Sequence, residues 1–137
     1  MPELRIIYQS DHFKIEADDA LAYVRTEWLH PVDDEQFMLE SMRSHATVTA
    51  TRAEKMLMNA EFVSAVSPVT KDWLANIYYD LFTHTSLKKM ARVMPDNLFR
   101  KLAMESVVAR AEATDELTYE IRDFPSEEEA VNWLLER

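Results

Sequence analysis

The sequence predicts one α/β domain in which a single-layer mixed β-sheet has helices packed against it. Three observations lead to this fold class. The first 28 residues form short stretches rich in β-formers, the rest of the chain alternates helical patterns with short apolar runs, and 47% of the 137 residues are hydrophobic. The predicted order is βββαβαβαβα, an N-terminal antiparallel meander and then βαβαβα with parallel strands. No Pro-rich or Ser-rich linker interrupts residues 1–137, so one domain is expected.

The meander is predicted from three stretches, residues 4–8, 13–17 and 21–28. Ser10-Asp11 and Asp18-Asp19 separate these stretches, and aspartate favours tight turns because its carboxylate bonds nearby backbone N–H groups.

The third predicted strand has two chemically different faces, because side chains alternate between the faces of a strand. Tyr23, Arg25 and Glu27 lie on one face, which is expected to be solvated. The other face is expected to pack into the core and comprises Ala22, Val24, Thr26 and Trp28.

After the meander the pattern becomes helical. Asp33 is a candidate N-cap with Gln36 three residues later, and this helix is expected to fade near Ala53. A short apolar strand over residues 55–58 follows. The next helix is predicted to begin at Ser67-Pro68, a hydroxyl N-cap with proline at the first helical position.

The helix after Ser67 has a continuous apolar stripe, which predicts that this stripe faces the core. Of the adjacent Tyr78 and Tyr79, one is expected in the core and the other on the surface, because neighbouring helix positions point in different directions. The stripe consists of Trp73, Leu74, Ile77, Tyr78, Leu81 and Phe82.

The last third of the chain predicts a strand over residues 89–94, a helix over 96–113, a strand over 117–121 and a final helix. The final helix begins with the capping box of Ser126 and Glu129. In the helix over 96–113 the residues expected to point inward are Leu98, Phe99, Leu102, Ala103 and Val107.

The composition excludes several classes of chemistry. Average usage would give about ten glycines in a chain of this length, and this chain has none. P-loops, dinucleotide fingerprints, EF-hand loops and nucleophile elbows all need glycine. The turns are expected to use Asp, Asn, Ser and Pro and to avoid backbone conformations open only to glycine. The lack of cysteine also excludes disulfides and thiolate chemistry.

The charge and the hydropathy of the chain limit the classes of partner that it is expected to bind. The formal charge of −10 disfavours nucleic acid and anionic membrane surfaces. The longest apolar run is the five residues 20–24, well short of a membrane span, so no membrane insertion and a cytoplasmic location are expected. Residues 111–137 contain nine carboxylates and two arginines. This acidic end is expected to be a solvated face, with a docking surface for a basic partner as the alternative.

The spacing of the histidines and acidic residues along the chain does not indicate a catalytic or metal site. The four histidines, His12, His30, His45 and His84, include no pair at metal-site spacing, and His45 is expected to be a hydrogen-bonded core residue. Acidic pairs fit turns, N-caps and first helical turns. We therefore expect no catalytic residue, no metal, no cofactor and no enzyme activity. An enzyme would need a pocket that holds a histidine beside a nucleophile or carboxylate.

Several local strings resemble the small STAS-like proteins of bacteria, relatives of the anti-sigma-factor antagonist fold labelled STAS/SEC14 domain-containing. The resemblance covers nearly the whole chain in order of elements and implies the fold more than the function. It is carried by Ser67-Pro68-x-x-x-x-Trp73, Leu87-Lys88-Lys89-Met90-Ala91-x-Val93, Pro95-Asp96-x-Leu98-Phe99, Phe124 and Glu129-Ala130-Val131-x-Trp133-Leu134.

The resemblance also implies a place for regulation. Phospho-switched STAS domains carry a serine or threonine after the strand that precedes the second helix, commonly behind an aspartate. Here Asn59 stands where related sequences often have aspartate, and Ala60 stands where a hydroxyl is expected. Ser64 is then the candidate phosphoacceptor, because Ser67 is accounted for as an N-cap.

The function expected from these observations is a non-enzymatic STAS-like binding or regulatory module. It would dock a protein partner through the loop before the second helix, with Asn59, Glu61, Phe62, Ser64 and Ser67 as the binding residues.

The alternative function is a small carrier of an apolar molecule or lipid, which the SEC14-like label implies and methionine-rich strands would allow. Homodimerisation is a further expectation, because pairing is one way to protect edge strands. The methionines concerned are Met56, Met58, Met90 and Met94, for which core filling is the competing interpretation.

Overall fold

The structure is a computed structural model that describes residues 2–63, 66–94, 98–112 and 117–136. Within residues 98–112 it describes the side chains of residues 102, 105 and 107–112. Three positions predicted to point inward have side chains that are not among those described: Leu98, Phe99 and Ala103. The Pro95-Asp96 pair lies outside the described residues.

The protein is an α/β fold with one six-stranded mixed sheet, as the sequence predicts. The strands lie side by side in the order of the chain. The first three pair antiparallel and form the meander, and the third to the sixth pair parallel. The strands are β1 (Arg5–Gln9), β2 (Phe13–Asp18), β3 (Tyr23–Trp28), β4 (Lys55–Asn59), β5 (Lys89–Val93) and β6 (Glu120–Phe124).

Four helical segments connect or follow the parallel strands. The second, α2, is continuous over residues 68–84 and contains a π-helical turn, Leu74–Tyr78, in its middle. It begins as an α-helix at Pro68–Trp73 and ends in the short segments Tyr79–Leu81 and Phe82–His84. The other helices are α1 (Asp34–Thr51), α3 (Leu98–Glu112) and α4 (Glu127–Leu135).

The helices divide between the two faces of the sheet. Because the parallel strands follow one another in order, right-handed connections place α1, α2 and α3 on the same face, which we call the first face. Its core joins β-strand residues such as Ile15 and Met56 to helical residues such as Val48, Phe82 and Val107. Helix α4 covers the parallel half of the opposite, second face. The core there consists of Tyr23, Leu57, Ala91, Val93, Ala130 and Leu134. The expectation that the face of Tyr23 is solvated is therefore wrong, because α4 covers it.

The predicted helix starts are confirmed by their caps. The Asp33 carboxylate accepts the Gln36 N–H at 2.8 Å, and Ser67 Oγ accepts the Thr70 N–H at 3.2 Å. Ser126 Oγ accepts the Glu129 N–H at 3.3 Å. Each cap satisfies one of the backbone donors that the first turn of a helix leaves unpaired.

Two predictions for the second helix are wrong, one for the apolar stripe at Ile77 and one for the pair Tyr78 and Tyr79. Tyr78 and Tyr79 are both buried, and Ile77 is 50% exposed. The cause is the π-helical turn Leu74–Tyr78, because its extra residue rotates the positions that follow away from a 3.6-residue period. Tyr79 turns inward as a result, and Ile77 turns to the surface.

Two other predictions are also corrected. Leu102 is 53% exposed instead of inward, whereas Val107 is buried as predicted. The buried side of α3 runs through Val107, Val108 and Ala111, and at 100° per residue Leu102 falls outside that stripe. The last strand lies at Glu120–Phe124, several residues after the predicted start at residue 117.

Positive backbone angles occur despite the lack of glycine. Ala22, Arg52 and Glu136 have φ of 52°, 56° and 54°. Ala22 follows a short 3-10 turn, Asp19–Leu21, and the other two follow α1 and α4. The expectation that Asp, Asn, Ser and Pro make the turns is therefore wrong at these three positions, whose left-handed α conformation is open to residues other than glycine. A residue with a Cβ atom has a conformational cost of about 1 kcal/mol or more in this region.

We predict that Ala22→Gly stabilises the protein, because glycine removes the strain at φ 52°. The expected gain is about 0.5 kcal/mol, since the added freedom of the unfolded chain offsets part of the relief. Ala46→Gly, in the exposed middle of α1, is the matched control and should cost about 1 kcal/mol. Urea unfolding measures both, and a loss of stability in Ala22→Gly contradicts the prediction.

A buried arginine holds β5, β6 and α2 together on the first face. Arg92 is 0% exposed, and its guanidinium donates to both carboxylate oxygens of Asp123 at 2.7 and 2.9 Å. It also donates to the Tyr79 hydroxyl at 3.2 Å, while the Tyr119 hydroxyl donates to the Tyr79 carbonyl at 2.7 Å. These bonds fix the part of α2 that follows the π-helical turn.

We predict that Asp123→Ala destabilises the protein by about 3 kcal/mol, because it removes the carboxylate paired with a buried charge. Asp72→Ala is the control, since Asp72 pairs with Arg110 on the surface at 2.6 Å. That exposed pair should change stability by less than about 0.5 kcal/mol. Denaturant midpoints compare the two variants, and equal effects contradict a structural role for the Arg92 pair.

Candidate functional site

The segments that follow β3, β4 and β6 meet at one edge of the sheet. These segments lead into α1, α2 and α4, so the N-terminal ends of three helices lie along this edge. We call this region, with the loop of residues 59–67, the carboxyl edge.

The first half of the loop is fixed by its own hydrogen bonds. Asn59 Oδ1 accepts the Glu61 N–H at 3.1 Å, and the Ala60 N–H donates to the Val93 carbonyl at 2.8 Å. The Val63 N–H closes a turn onto the Ala60 carbonyl at 3.1 Å, and its side chain is buried. Phe62, between these fixed points, remains 53% exposed.

The end of the loop, at Ser67, is fixed to α1. Asp34 Oδ2 accepts the Ser67 N–H at 3.2 Å and the Thr70 hydroxyl at 2.9 Å. Hydrogen bonding from Ser67 and then Thr70 lowers the pKa of Asp34 below its usual value. One carboxylate thus joins the starts of α1 and α2.

The predicted binding residues are only partly available to a partner. Glu61 and Phe62 are exposed, whereas Asn59 is buried and Ser67 is occupied as a helix cap. Ser64, the candidate phosphoacceptor, lies outside the described residues. The surface that the loop presents to solvent, in the described residues, is therefore centred on Glu61 and Phe62.

A charged network next to the loop is not predicted from the sequence. Arg25 Nη1 donates to Glu16 at 2.8 Å and to Glu27 at 3.0 Å. Arg25 Nε and Nη2 donate to the two carboxylate oxygens of Glu127 at 3.1 and 2.5 Å, so this pair is bidentate. Asn59 Nδ2 donates to the same Glu127 at 2.8 Å.

The network lies on the second face and links it to the loop. Strand alternation places Arg25 beside Glu27, but Glu127 is 102 residues away and no local pattern indicates it. Through Asn59, one end of the binding loop is tied to the first turn of α4.

The network shifts the pKa values of both partners in the bidentate pair. Burial lowers the pKa of Arg25, but hydrogen bonds and charge from Glu127 and Glu27 outweigh it and raise the pKa above its usual value. Burial raises the pKa of Glu127, and hydrogen bonds from Arg25 and Asn59 outweigh it, so the net shift is downward. Both groups are held in their charged forms.

An open groove of about 560 Å³ lies beside this network on the second face. Arg25 and Glu127 line its polar side, and Glu128 and Asn132 of α4 line it further along. Its apolar lining consists of Pro2, Leu4, Tyr23 and Val131.

The interior of the first face is closely packed around the predicted methionine cluster. Met56, Met58, Met90 and Met94 are all buried in the core, which agrees with their interpretation as core-filling residues. A cavity lined by Met58 and Tyr78 has a volume of about 10 Å³, roughly the space that one water molecule needs. An apolar ligand does not fit that cavity as it stands.

Acidic side chains lie along the carboxyl edge, the same edge of the sheet that carries the Phe62 loop. They belong to the first turns of α1 and α4 and to the loop, where helix dipoles favour negative charge. The residues are Asp33, Asp34, Glu35, Glu61, Glu127, Glu128 and Glu129.

The ring of His45 contacts the C-terminal part of α2. His45 is only partly buried, but its Nε2 lies 3.3 Å from the Leu81 carbonyl and its ring packs edge-on against Phe82, so the expected hydrogen bond is present. Among the described residues, no group of three or more His, Asp or Glu side chains is arranged to hold a metal ion. None of the described helices is both long and apolar enough to cross a bilayer.

Comparisons of the chain with protein-family models, with curated proteins and with solved structures find no match.

We predict that Glu127→Gln lowers stability at neutral pH and that the loss disappears in acid. A carboxyl group whose native pKa lies below its unfolded value of about 4.3 stabilises the fold above that value. That contribution is lost as the pH falls through the lower native pKa, because the native carboxylate is then protonated. Urea midpoints of both proteins between about pH 7 and about pH 3 should converge.

Glu129→Gln is the control for this experiment, because Glu129 lies in the same first turn of α4 and is exposed. It should change the urea midpoints less than Glu127→Gln at neutral pH. A Glu127→Gln difference that stays constant down to about pH 3 would contradict the proposed network.

Proposed function

We infer that the protein is a non-enzymatic binding module that docks a protein partner through the carboxyl edge, with Phe62 as the central contact. The observation that carries this proposal is a half-exposed aromatic side chain on a loop whose backbone is fixed on both sides. The order of elements and the strings that resemble STAS-like domains support the same class of function.

A fixed exposed aromatic residue is well suited to protein recognition. Aromatic residues supply much of the binding energy at interfaces, because they bury a large area with few rotatable bonds. The bonds at Asn59 and Ala60 hold the backbone before Phe62 in place, and the buried Val63 holds the backbone after it. Little ordering of residues 59–63 is then required on binding, which reduces the entropic cost of binding.

The charges along the carboxyl edge indicate the chemistry of the partner. A protein that accepts the Phe62 ring in an apolar pocket would face Glu61 and the acidic first turns of α1 and α4. A basic rim around that pocket gives the complementary potential and speeds association. Binding to such a partner should weaken as salt is raised, because the surface charges are screened.

Ser64 is the proposed site of regulation by phosphorylation, because the chain resembles phospho-switched STAS domains. A phosphate there would add negative charge and strong acceptors to an edge that is already acidic. Phosphopeptide mass spectrometry of the protein purified from its native host tests this proposal, and a peptide over residues 62–70 that is never phosphorylated would count against it.

The carrier of an apolar molecule is the second candidate, and the open groove on the second face is the observation that favours it. The groove volume of about 560 Å³ falls within the usual range of small-molecule sites. Native mass spectrometry of the purified protein should reveal a retained cargo if this function is correct. Loss of that mass in Leu4→Ser would assign the cargo to the groove.

For the docking function, we predict that Phe62→Ala weakens binding of the captured partner at least about tenfold, because it removes the aromatic contact. The partner is first captured from an extract of the native host on the immobilised protein, and its affinity is then measured by calorimetry. Leu102→Ala is the matched control, since Leu102 is also 53% exposed but lies on α3.

Equal affinity of Phe62→Ala and the unsubstituted protein would remove the loop from the binding surface. A loss of affinity that appears equally in Leu102→Ala would contradict a specific role for Phe62. Thermal unfolding of both variants by circular dichroism verifies that they are folded.

A further inference from the structure

The groove on the second face combines apolar side chains with an excess of negative charge. Its apolar side chains belong to the N-terminal segment, to β3 and to α4. Its charged side chains are Arg25, Glu127 and Glu128, so one guanidinium faces two carboxylates within the lining. The groove is therefore amphipathic, with a negatively charged side.

The charges next to the lining add to this excess. Glu16 and Glu27 also accept hydrogen bonds from Arg25, and Lys14 lies 3.6 Å from Glu16. Together with the two carboxylates of the lining, this cluster holds four carboxylates and two cations. Within the described residues, Glu128 makes no ion pair. The charge that complements the groove is thus positive.

Arg25 is not available to an anionic ligand. Its Nη1 donates to both Glu16 and Glu27, and its Nε and Nη2 donate to Glu127. A single N–H group, on Nη2, is left for any other acceptor. An anion in the groove would have this one donor and would lie among carboxylates. A fatty acid is therefore a poor ligand, although its chain would suit the apolar lining.

A buried tyrosine supplies the groove with an unpaired polar group. Tyr23 is 2% exposed and lines the groove. Its hydroxyl makes no hydrogen bond to the described residues, among which no fully buried side-chain N or O atom lacks a partner. The hydroxyl therefore has solvent access, and the groove provides it.

This hydroxyl is suited to accept a hydrogen bond from a ligand. Burial raises the pKa of Tyr23 above its usual value, so the hydroxyl is neutral at neutral pH. A neutral phenol oxygen accepts as well as donates, and buried tyrosine hydroxyls usually have a partner.

We propose that the groove binds a small amphiphilic amine, with its ammonium group near Glu128 and the Tyr23 hydroxyl and its hydrocarbon chain against Leu4 and Val131. The ammonium group offsets the excess of negative charge and donates to the unpaired hydroxyl. The hydrocarbon chain buries apolar area in the groove. The cargo of the second candidate function, the carrier, is thereby narrowed to a cation, so the proposal rests on that function and not on docking at Phe62.

Calorimetric titration with octylamine, octanol and octanoate tests the proposal. These probes share one hydrocarbon chain, and their head groups are positive, neutral and negative at neutral pH. Octylamine should bind at least about fivefold more tightly than octanol, and octanoate should bind most weakly. Raising sodium chloride from about 0.05 M to about 0.5 M should weaken octylamine binding and leave octanol binding nearly unchanged.

Substitutions at the groove separate the charge from the apolar contact. Glu128→Gln should raise the dissociation constant of octylamine at least about threefold and leave that of octanol unchanged. Glu129→Gln is the matched control, because it removes the same charge from a neighbouring exposed residue that does not line the groove. Leu4→Ser should weaken the binding of both probes.

Tyr23→Phe tests the hydroxyl alone. It should weaken octylamine binding without lowering the urea midpoint, because the hydroxyl has no partner among the described residues whose loss would destabilise the fold. Urea unfolding of the other variants verifies that each of them is folded.

Several results would overturn the proposal. Equal binding of octylamine and octanol, or tighter binding of octanoate, contradicts a cationic ligand but leaves the carrier function in place if Leu4→Ser weakens the binding. Equal effects of Glu128→Gln and Glu129→Gln would reduce octylamine binding to an effect of the overall charge. If no probe binds and native mass spectrometry finds no retained cargo, the carrier function fails with the proposal. None of these results bears on the loss of partner binding in Phe62→Ala.

Discussion

The bidentate contact between Arg25 and Glu127 is the interaction on which the arrangement of the functional surfaces depends. It joins the third strand to the first turn of the last helix across 102 residues of chain. Glu16 and Glu27 occupy the remaining side of the guanidinium, so the arginine is held from three directions. A partly buried charge is tolerated only when it is paired and hydrogen-bonded in this way. The contact fixes where α4 begins on the second face.

Two surfaces follow from that position of α4. Asn59 donates to Glu127 and accepts from Glu61, so the loop that carries Phe62 is built on the same network. On its other side the network borders the groove, because α4 covers only the parallel half of the second face and leaves space above β3. The loop and the groove are therefore separate surfaces that share one charged support.

The complete lack of glycine has a different meaning in the structure than in the sequence. In the sequence it removes the phosphate-binding and dinucleotide-binding loops. In the structure, three helical segments are each followed by a residue in the left-handed conformation. These residues are Ala22, Arg52 and Glu136. The local backbone strain is tolerated because backbone hydrogen bonds hold the chain in place directly after the helix end. The Ala22 carbonyl, for instance, accepts the N–H groups of Glu54 and Lys55 at 2.9 and 3.0 Å.

The sequence by itself determined the α/β class, the order of the elements and the starts of three helices, because caps and hydrophobic periods act over a few residues. It also determined that Phe62 lies in an irregular loop. Only the tertiary structure decided that Tyr79 is buried and Ile77 exposed, since a π-helical turn changes the period without a local signal. Only the tertiary structure brought Glu127 to Arg25 and Asp123 to Arg92. Charge pairs between distant segments depend on which strands and helices become neighbours, and that choice is made by packing the whole core.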